Sequence, residues 1–170
     1  MTAEEMTHAT KSELIEAIAG SEGRVLASET IGITIPLLTD VTNAEFAASM
    51  GADLILLNMF DVQEPKIMAL PEVEKEETVR EVKRLTGRMV GINLEPVEES
   101  YASDNKETLW EMSAGRYATV ENAIQAQKMG VDLIVLTGNP GNGVSNPAII
   151  SSFSMRLYGI SENFMAKSSF

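Results

Sequence analysis

The chain has no cysteine and a single histidine, His8. Disulfides, Cys-ligated zinc and a thiol nucleophile are therefore excluded. With one histidine, placed in a polar leader, Ser-His-Asp and Cys-His catalysis are implausible. Basic residues are also scarce: 13 Lys+Arg face 25 Asp+Glu, giving a formal net charge of −12. A nucleic-acid binder carries the opposite electrostatic footprint, and an anionic membrane surface finds no polybasic handle here. No apolar run approaches the ~18 residues of a spanning helix. The first twenty residues carry Glu4, Glu5, Glu13 and Glu16 and do not read as a signal peptide. These absences, together with the lack of cysteine, point to the reducing cytoplasm.

What is present is ordinary core material. Hydrophobic residues make up 44% of 170 residues, enough for one domain with a real interior. Apolar runs alternate with amphipathic stretches. Ser12–Ala19 reads as a helix stopped by Gly20, and Arg24–Ile33 as a strand running into a loop. Thr42-Asn-Ala-Glu45 has capping-box form ahead of a helix that Gly51 closes. Asp53–Phe60 lacks alternation, as expected of a strand buried on both faces. Glu72–Leu85 with Gly87, Met89–Leu94, Thr119–Met129 with Gly130, and Asp132–Thr137 continue the pattern. The expected fold is α/β, with about four parallel strands in right-handed (β/α) units, resembling the N-terminal half of a (β/α)8 TIM barrel. A complete barrel takes about 250 residues.

An internal repeat strengthens that reading. NAEFAASMGADLILLN (Asn43–Asn58) and NAIQAQKMGVDLIVLT (Asn122–Thr137) share nine of 16 positions at a constant offset of 79. Shared patterning rules of helix–Gly–strand units account for such a likeness, and so does duplication of a (βα)2 unit, which favours a barrel. Residues 1–150 form the partial barrel with its N-terminal helix. Residues 151–170 differ, with six serines, four of the nine aromatics and one acid. They read either as a C-terminal helix and tail or as sequence out of frame after about residue 150, leaving four units of a longer barrel.

Ligands of parallel α/β folds sit at the carboxyl ends of strands. Polar residues gather there: Ser28, Glu29 and Thr30, then Asn58 and Asp61, then Asn93 and Glu95, then Thr137, Asn139 and Asn142. Glu29, Glu95 and Asp61 are the catalytic candidates. One of them with a raised pKa would be an acid or base, or the three together would offer Mg²⁺ its oxygen ligands. The alternative for each is a helix cap or a solvated carboxylate. Gly138-Asn-Pro-Gly-Asn-Gly143 has three glycines that allow close backbone approach, so Gly138, Asn139, Gly141, Asn142 and Gly143 would cradle a phosphate, or else make a tight turn. The loop Glu95–Arg116 is long enough for a lid, with Arg116 as an anion clamp. Trp110, on an expected short helix Lys106–Met112, reads as a core anchor. Substrate-binding candidates are thus Ser28, Asn58, Asn93, Arg116, Thr137 and the glycine loop.

The stretches SETIGITIPLLTDVTNAEFAASMGADLILLNMFDV, GINLEP and ATVENAIQAQKMGVDLIVLTGNPGNGVSN resemble an uncharacterised bacterial TIM-barrel family whose members often carry the label haloacid dehalogenase-like hydrolase. The resemblance covers Leu14–Ile150 and implies a full barrel of which this chain is half. It does not imply haloacid dehalogenase chemistry, because no Asp-x-Asp motif occurs. The architecture is closer to phosphoenolpyruvate mutase, isocitrate lyase or phosphate-binding barrels. The function expected is an enzyme acting on a small anionic, phosphorylated metabolite by lyase, isomerase or hydrolase chemistry, assisted by Mg²⁺ in some versions. Otherwise the chain is an inactive half-barrel or a self-associating ligand-binding module. Either way a homo-oligomer is expected.

Overall fold

The fold is that of a computed structural model, which describes residue 5, residues 9–96, 112–137 and, as backbone, 165–169. Helix α1 spans Lys11–Gly20, β1 Ala27–Ile31, α2 Asn43–Ser49 and β2 Leu54–Asn58. A 3-10 turn, Lys75–Glu77, leads into α3, Thr78–Thr86, and then β3, Met89–Leu94. A second 3-10 turn, Ala114–Arg116, precedes α4, Val120–Lys128, β4, Leu133–Thr137, and β5, Met165–Ser169. The strands are all parallel and lie in chain order, β1-β2-β3-β4-β5. Consecutive order with helices between strands is the arrangement of half a (β/α)8 barrel. The fifth strand falls in the tail, where the sequence showed no period.

Local chemistry fixes the helix starts. Thr10 caps α1 and Thr42 caps α2. Each hydroxyl accepts from the backbone N–H three residues on, and the Glu13 and Glu45 carboxylates accept from the cap N–H at 2.7 and 3.0 Å. Such caps contribute about 1 kcal/mol each. The expected helix Glu72–Leu85 begins later. Residues 71–74 are irregular, because Pro71 and four closely spaced glutamates offer no apolar face, and the buried Val79 and Val82 set where the helix pays off. Gly87 ends α3 with φ 60°, a conformation that favours glycine.

The period-2 alternation of the strands divides the core in two. Ile55, Leu57, Val90, Ile92, Leu94, Ile134 and Leu136 face the helices and pack on Ala44, Ala48, Val79, Val82, Ala123 and Ala126. The opposite face carries Leu54, Met89 and Leu133, closed at its N-terminal end by Leu14 of α1. This second face corresponds to a barrel interior. Along β1 its residues are Ala27, Glu29 and Ile31, in register with Leu54, Leu56 and Asn58.

The internal repeat is a structural one. Asp53 precedes β2 and clamps Leu26: its N–H donates to the Leu26 carbonyl (2.8 Å) and its carboxylate accepts from the Leu26 N–H (2.9 Å). Asp132 precedes β4 and does the same to Val90, at 2.8 Å in both directions. Asn43 and Asn122, also equivalent, each hold the loop before their helix, through Leu37 N–H in one case and the Ala114 and Tyr117 carbonyls in the other. Hydrophobic patterning alone does not require these polar clamps, so they favour duplication.

The Asp132 clamp has an added partner, Lys83 Nζ at 2.6 Å, with both side chains under 20% exposed. Burial pushes the Asp132 carboxyl up, against the pull of Lys83 and the Val90 N–H. Removing one member of a buried pair strands the other. Asp132→Ala is therefore expected to lower unfolding free energy by about 2–4 kcal/mol, read as a drop in urea midpoint at constant slope. A loss below half a kcal/mol would show the clamp to be redundant.

Candidate functional site

Four polar side chains extend the inner face toward the carboxyl ends of β1 to β4. Glu29 lies within β1, Asn58 ends β2, Asn93 is in β3, and Thr137 ends β4. Three of them are joined. The Met59 N–H donates to Asn93 Oδ1 (3.0 Å), Asn93 Nδ2 donates to Asn58 Oδ1 (2.8 Å), and Asn58 Nδ2 donates to the Glu29 carboxylate. Every bond in this chain points the same way, so both amide orientations are fixed by their partners. It crosses three strands and ends on a carboxylate that is exposed to solvent. Met59, at its start, has φ 58°, a conformation that strains a non-glycine residue and that recurs at functional sites.

Glu95 follows β3 and continues its inward alternation. It is 4% exposed and forms an ion pair with Arg116. The backbones of the two segments are tied as well: Glu95 N–H donates to the Arg116 carbonyl and Ala118 N–H to the Glu95 carbonyl, both at 2.9 Å. Arg116, expected to clamp substrate, is committed to Glu95, and the pair presents no net charge to a ligand.

Asp61 sits in the loop after β2. Its Oδ1 accepts from the N–H groups of Gln63 (2.7 Å) and Glu64 (3.0 Å). Partial burial pushes its carboxyl up, but the Ser113 hydroxyl, those two N–H groups and the Arg116 charge outweigh it, so the group titrates below its ordinary value. These contacts occupy Asp61 in holding two loops together. A carboxyl lowered in the folded state contributes stability above the unfolded pKa, and that stability is lost as pH falls through the folded value. Stability is therefore expected to decline below about pH 4, and Asp61→Asn should flatten that part of the acid limb. Urea unfolding at pH 7 and pH 3 measures it; an equal pH slope in both proteins would deny Asp61 the role.

Two expectations are corrected. Ser28 does not belong to the site: it is in register with Ile55, whose side chain faces the helices, so alternation turns Ser28 away from the inner face. Nor do the three carboxylates form one cluster. Glu29 goes to Asn58, Glu95 to Arg116 and Asp61 to its own turn. Among the described residues no three His, Asp or Glu side chains converge as metal ligands. Gly138, Asn139, Gly141, Asn142 and Gly143 lie outside the described residues, as do Trp110 and His8. Sequence reasoning missed Met59, Ser113 and Gly115. Their roles depend on backbone conformation or on contacts some fifty residues away, and residue type signals neither.

A family described as Domain of unknown function (DUF7916) matches residues 1–164. The chain belongs to DUF7916. The match runs past Ile150, where the composition changes. Among curated proteins no sequence matches significantly. Among solved structures, the DUF7916 chain is similar to one described as "Putative alpha Amylase from Salmonella typhimurium", with 10% identity and a TM-score of 0.50 over 85% of this chain. The DUF7916 chain spans 32% of that structure's length. At this identity the likeness is one of fold, a (β/α) barrel of which this chain matches a part. Among the described residues no helix is long and apolar enough to cross a membrane.

Proposed function

We propose that the chain supplies the acid–base side of an enzyme site for a small, polar, anionic metabolite, bound at the carboxyl ends of β1 to β4. The observation that carries this is the one-way hydrogen-bond chain from Met59 through Asn93 and Asn58 to Glu29. A solvated surface carboxylate needs no such support. A carboxylate that must present one oxygen to a substrate proton does, because proton transfer demands hydrogen-bond reach in a fixed direction. Each amide in the chain spends one of its two N–H groups on its neighbour, and the other can meet a substrate hydroxyl or carbonyl.

The anionic group would be received by the glycine loop that follows Thr137 in sequence, since Arg116 is neutralised by Glu95. Buried and paired, Glu95 would respond to a ligand that competes for Arg116. Mg²⁺ would have Glu29 as its exposed carboxylate and substrate phosphate oxygens for the remainder of its shell. Which bond is made or broken follows from the substrate. The test is to incubate the whole chain with a panel of phosphorylated and hydroxy-acid metabolites. Stabilisation against heat and substrate loss, the latter by mass spectrometry, are followed together. Turnover of any member supports the enzyme reading. Stabilisation without turnover assigns the site to a binding module, and neither effect across the panel overturns the proposal.

A further inference from the structure

We infer that Asn93 and Thr137 form a second subsite, equivalent by the internal repeat to Glu29 and Asn58, that takes an uncharged ligand oxygen, a hydroxyl or a carbonyl. This rests on the acid–base reading of the strand ends and narrows its substrate to a hydroxy or keto acid. The repeat sets Leu54 of β2 on Leu133 of β4 at the offset of 79. Leu54 is in register with Ala27 and Leu133 with Gly91, so β1–β2 superposes on β3–β4 with Glu29 on Asn93 and Asn58 on Thr137. The aspartate clamps give the same correspondence independently. Asp53 holds Leu26, three residues before Glu29, and Asp132 holds Val90, three residues before Asn93.

The two units differ in how the equivalent pair is joined. In the first, Glu29 is in register with Leu56, and Asn58 lies two residues further along β2. Parallel strands about 4.8 Å apart, rising about 3.3 Å per residue, put such diagonal partners roughly 8 Å apart at their Cα atoms. Two long side chains close that distance, and Asn58 Nδ2 donates directly to the Glu29 carboxylate. In the second, Asn93 is in register with Val135, and Thr137 stands on the same diagonal. Threonine is too short to close it, and the Asn93 amide is drawn the other way, toward Met59 and Asn58. Among the described residues no hydrogen bond joins Asn93 to Thr137.

A hydroxyl that donates and accepts, and the remaining N–H of a buried amide, thus flank this diagonal. One ligand oxygen, hydroxyl or carbonyl, meets both, and a buried donor left without a partner is costly. Charge makes that oxygen a neutral one. The second unit carries an amide where the first carries a carboxylate, and the charge of Glu95, which continues the inward alternation of β3, is met by Arg116. Glu29, on β1, meets a different part of the same molecule. The ligand therefore needs a neutral oxygen in addition to its anionic group. Hydroxy and keto acids and their phosphate esters fit this description; simple carboxylates do not.

Running the metabolite panel in matched sets tests this: malate and oxaloacetate against succinate, and phosphoglycerate against phosphopropionate, each titrated calorimetrically into the whole chain. Within a set, a member bearing the hydroxyl or carbonyl is expected to bind about tenfold more tightly than its deoxy partner, the contribution of one hydrogen bond. Malate ahead of oxaloacetate would make the oxygen a hydroxyl, and the reverse order a carbonyl. Thr137→Val keeps the shape and the β-branch and should leave the far-UV circular dichroism unchanged. It should erase the tenfold advantage without altering the affinity of the deoxy members, and Thr137→Ser should retain the advantage. Equal affinity of matched members for the wild type overturns the subsite, and that comparison holds even if Thr137→Val does not fold. So does a hydroxyl-bearing member that binds the wild type and folded Thr137→Val alike. Either result leaves the acid–base reading standing, whereas the absence of binding across the panel overturns both.

Discussion

Glu29→Gln is expected to lower turnover by about 10²–10⁴-fold, the usual contribution of a positioned acid or base. The substitution is nearly isosteric, and the new side-chain carbonyl can still accept from Asn58. The hydrogen-bond chain that starts at Met59 would therefore persist. Because the position is exposed, unfolding free energy should change by no more than about half a kcal/mol. The loss should lie in kcat more than in KM, since a proton-transferring group acts chiefly in the transition state. With a panel member that the wild-type chain converts, steady-state kinetics measure both constants. Retained kcat would remove Glu29 from the chemistry and leave the Asn58–Asn93 pair as a structural cross-strand link. A rise in KM alone would make Glu29 a binding group.

The fold was legible because it rests on short-range signals. The Thr42-x-x-Glu45 box fixes the start of α2, and Met89–Leu94 reads as a strand with both ends correct. The inward position of Asn58 and Asn93 follows from parity once the strands are placed. Parity also shows why Ser28 was misread. β1 runs from Ala27 to Ile31, so Ser28 and Glu29 lie within the strand and on opposite faces. Where β1 begins is set by the Asp53 clamp on Leu26, a contact 27 residues away. The pairing of Glu95 with Arg116 was illegible for a similar reason. Arg116 stands 21 residues further along the chain, beyond a long loop, and neither residue type announces its partner. Such pairings matter most to function, because they decide which charges a ligand can meet.

Gly115→Ala should destabilise the chain more than any other single-methyl addition among the described residues. A Cβ at Gly115 would lie 1.7 Å from Asp61 Oδ1, 2.6 Å from its Cγ and 2.8 Å from the Gln63 backbone nitrogen. A flexible side-chain end could swing aside, but Asp61 cannot: its Oδ1 is fixed by two backbone N–H groups, and the neighbouring Val62 N–H donates to the Gly115 carbonyl at 3.3 Å. The two loops would have to separate, and with them the segment that carries Arg116 to Glu95. Overpacking against fixed atoms costs about 3 kcal/mol, which for a chain of this size lowers the melting temperature by roughly 6–12 °C. The double variant Asp61→Ala, Gly115→Ala isolates the cause. It removes the two closest contacts and leaves the one to Gln63, so part of the loss should return as a coupling between the sites. If Gly115→Ala melts like the wild type, the two loops are not packed against each other. In that case Arg116 could leave Glu95 and reach a ligand.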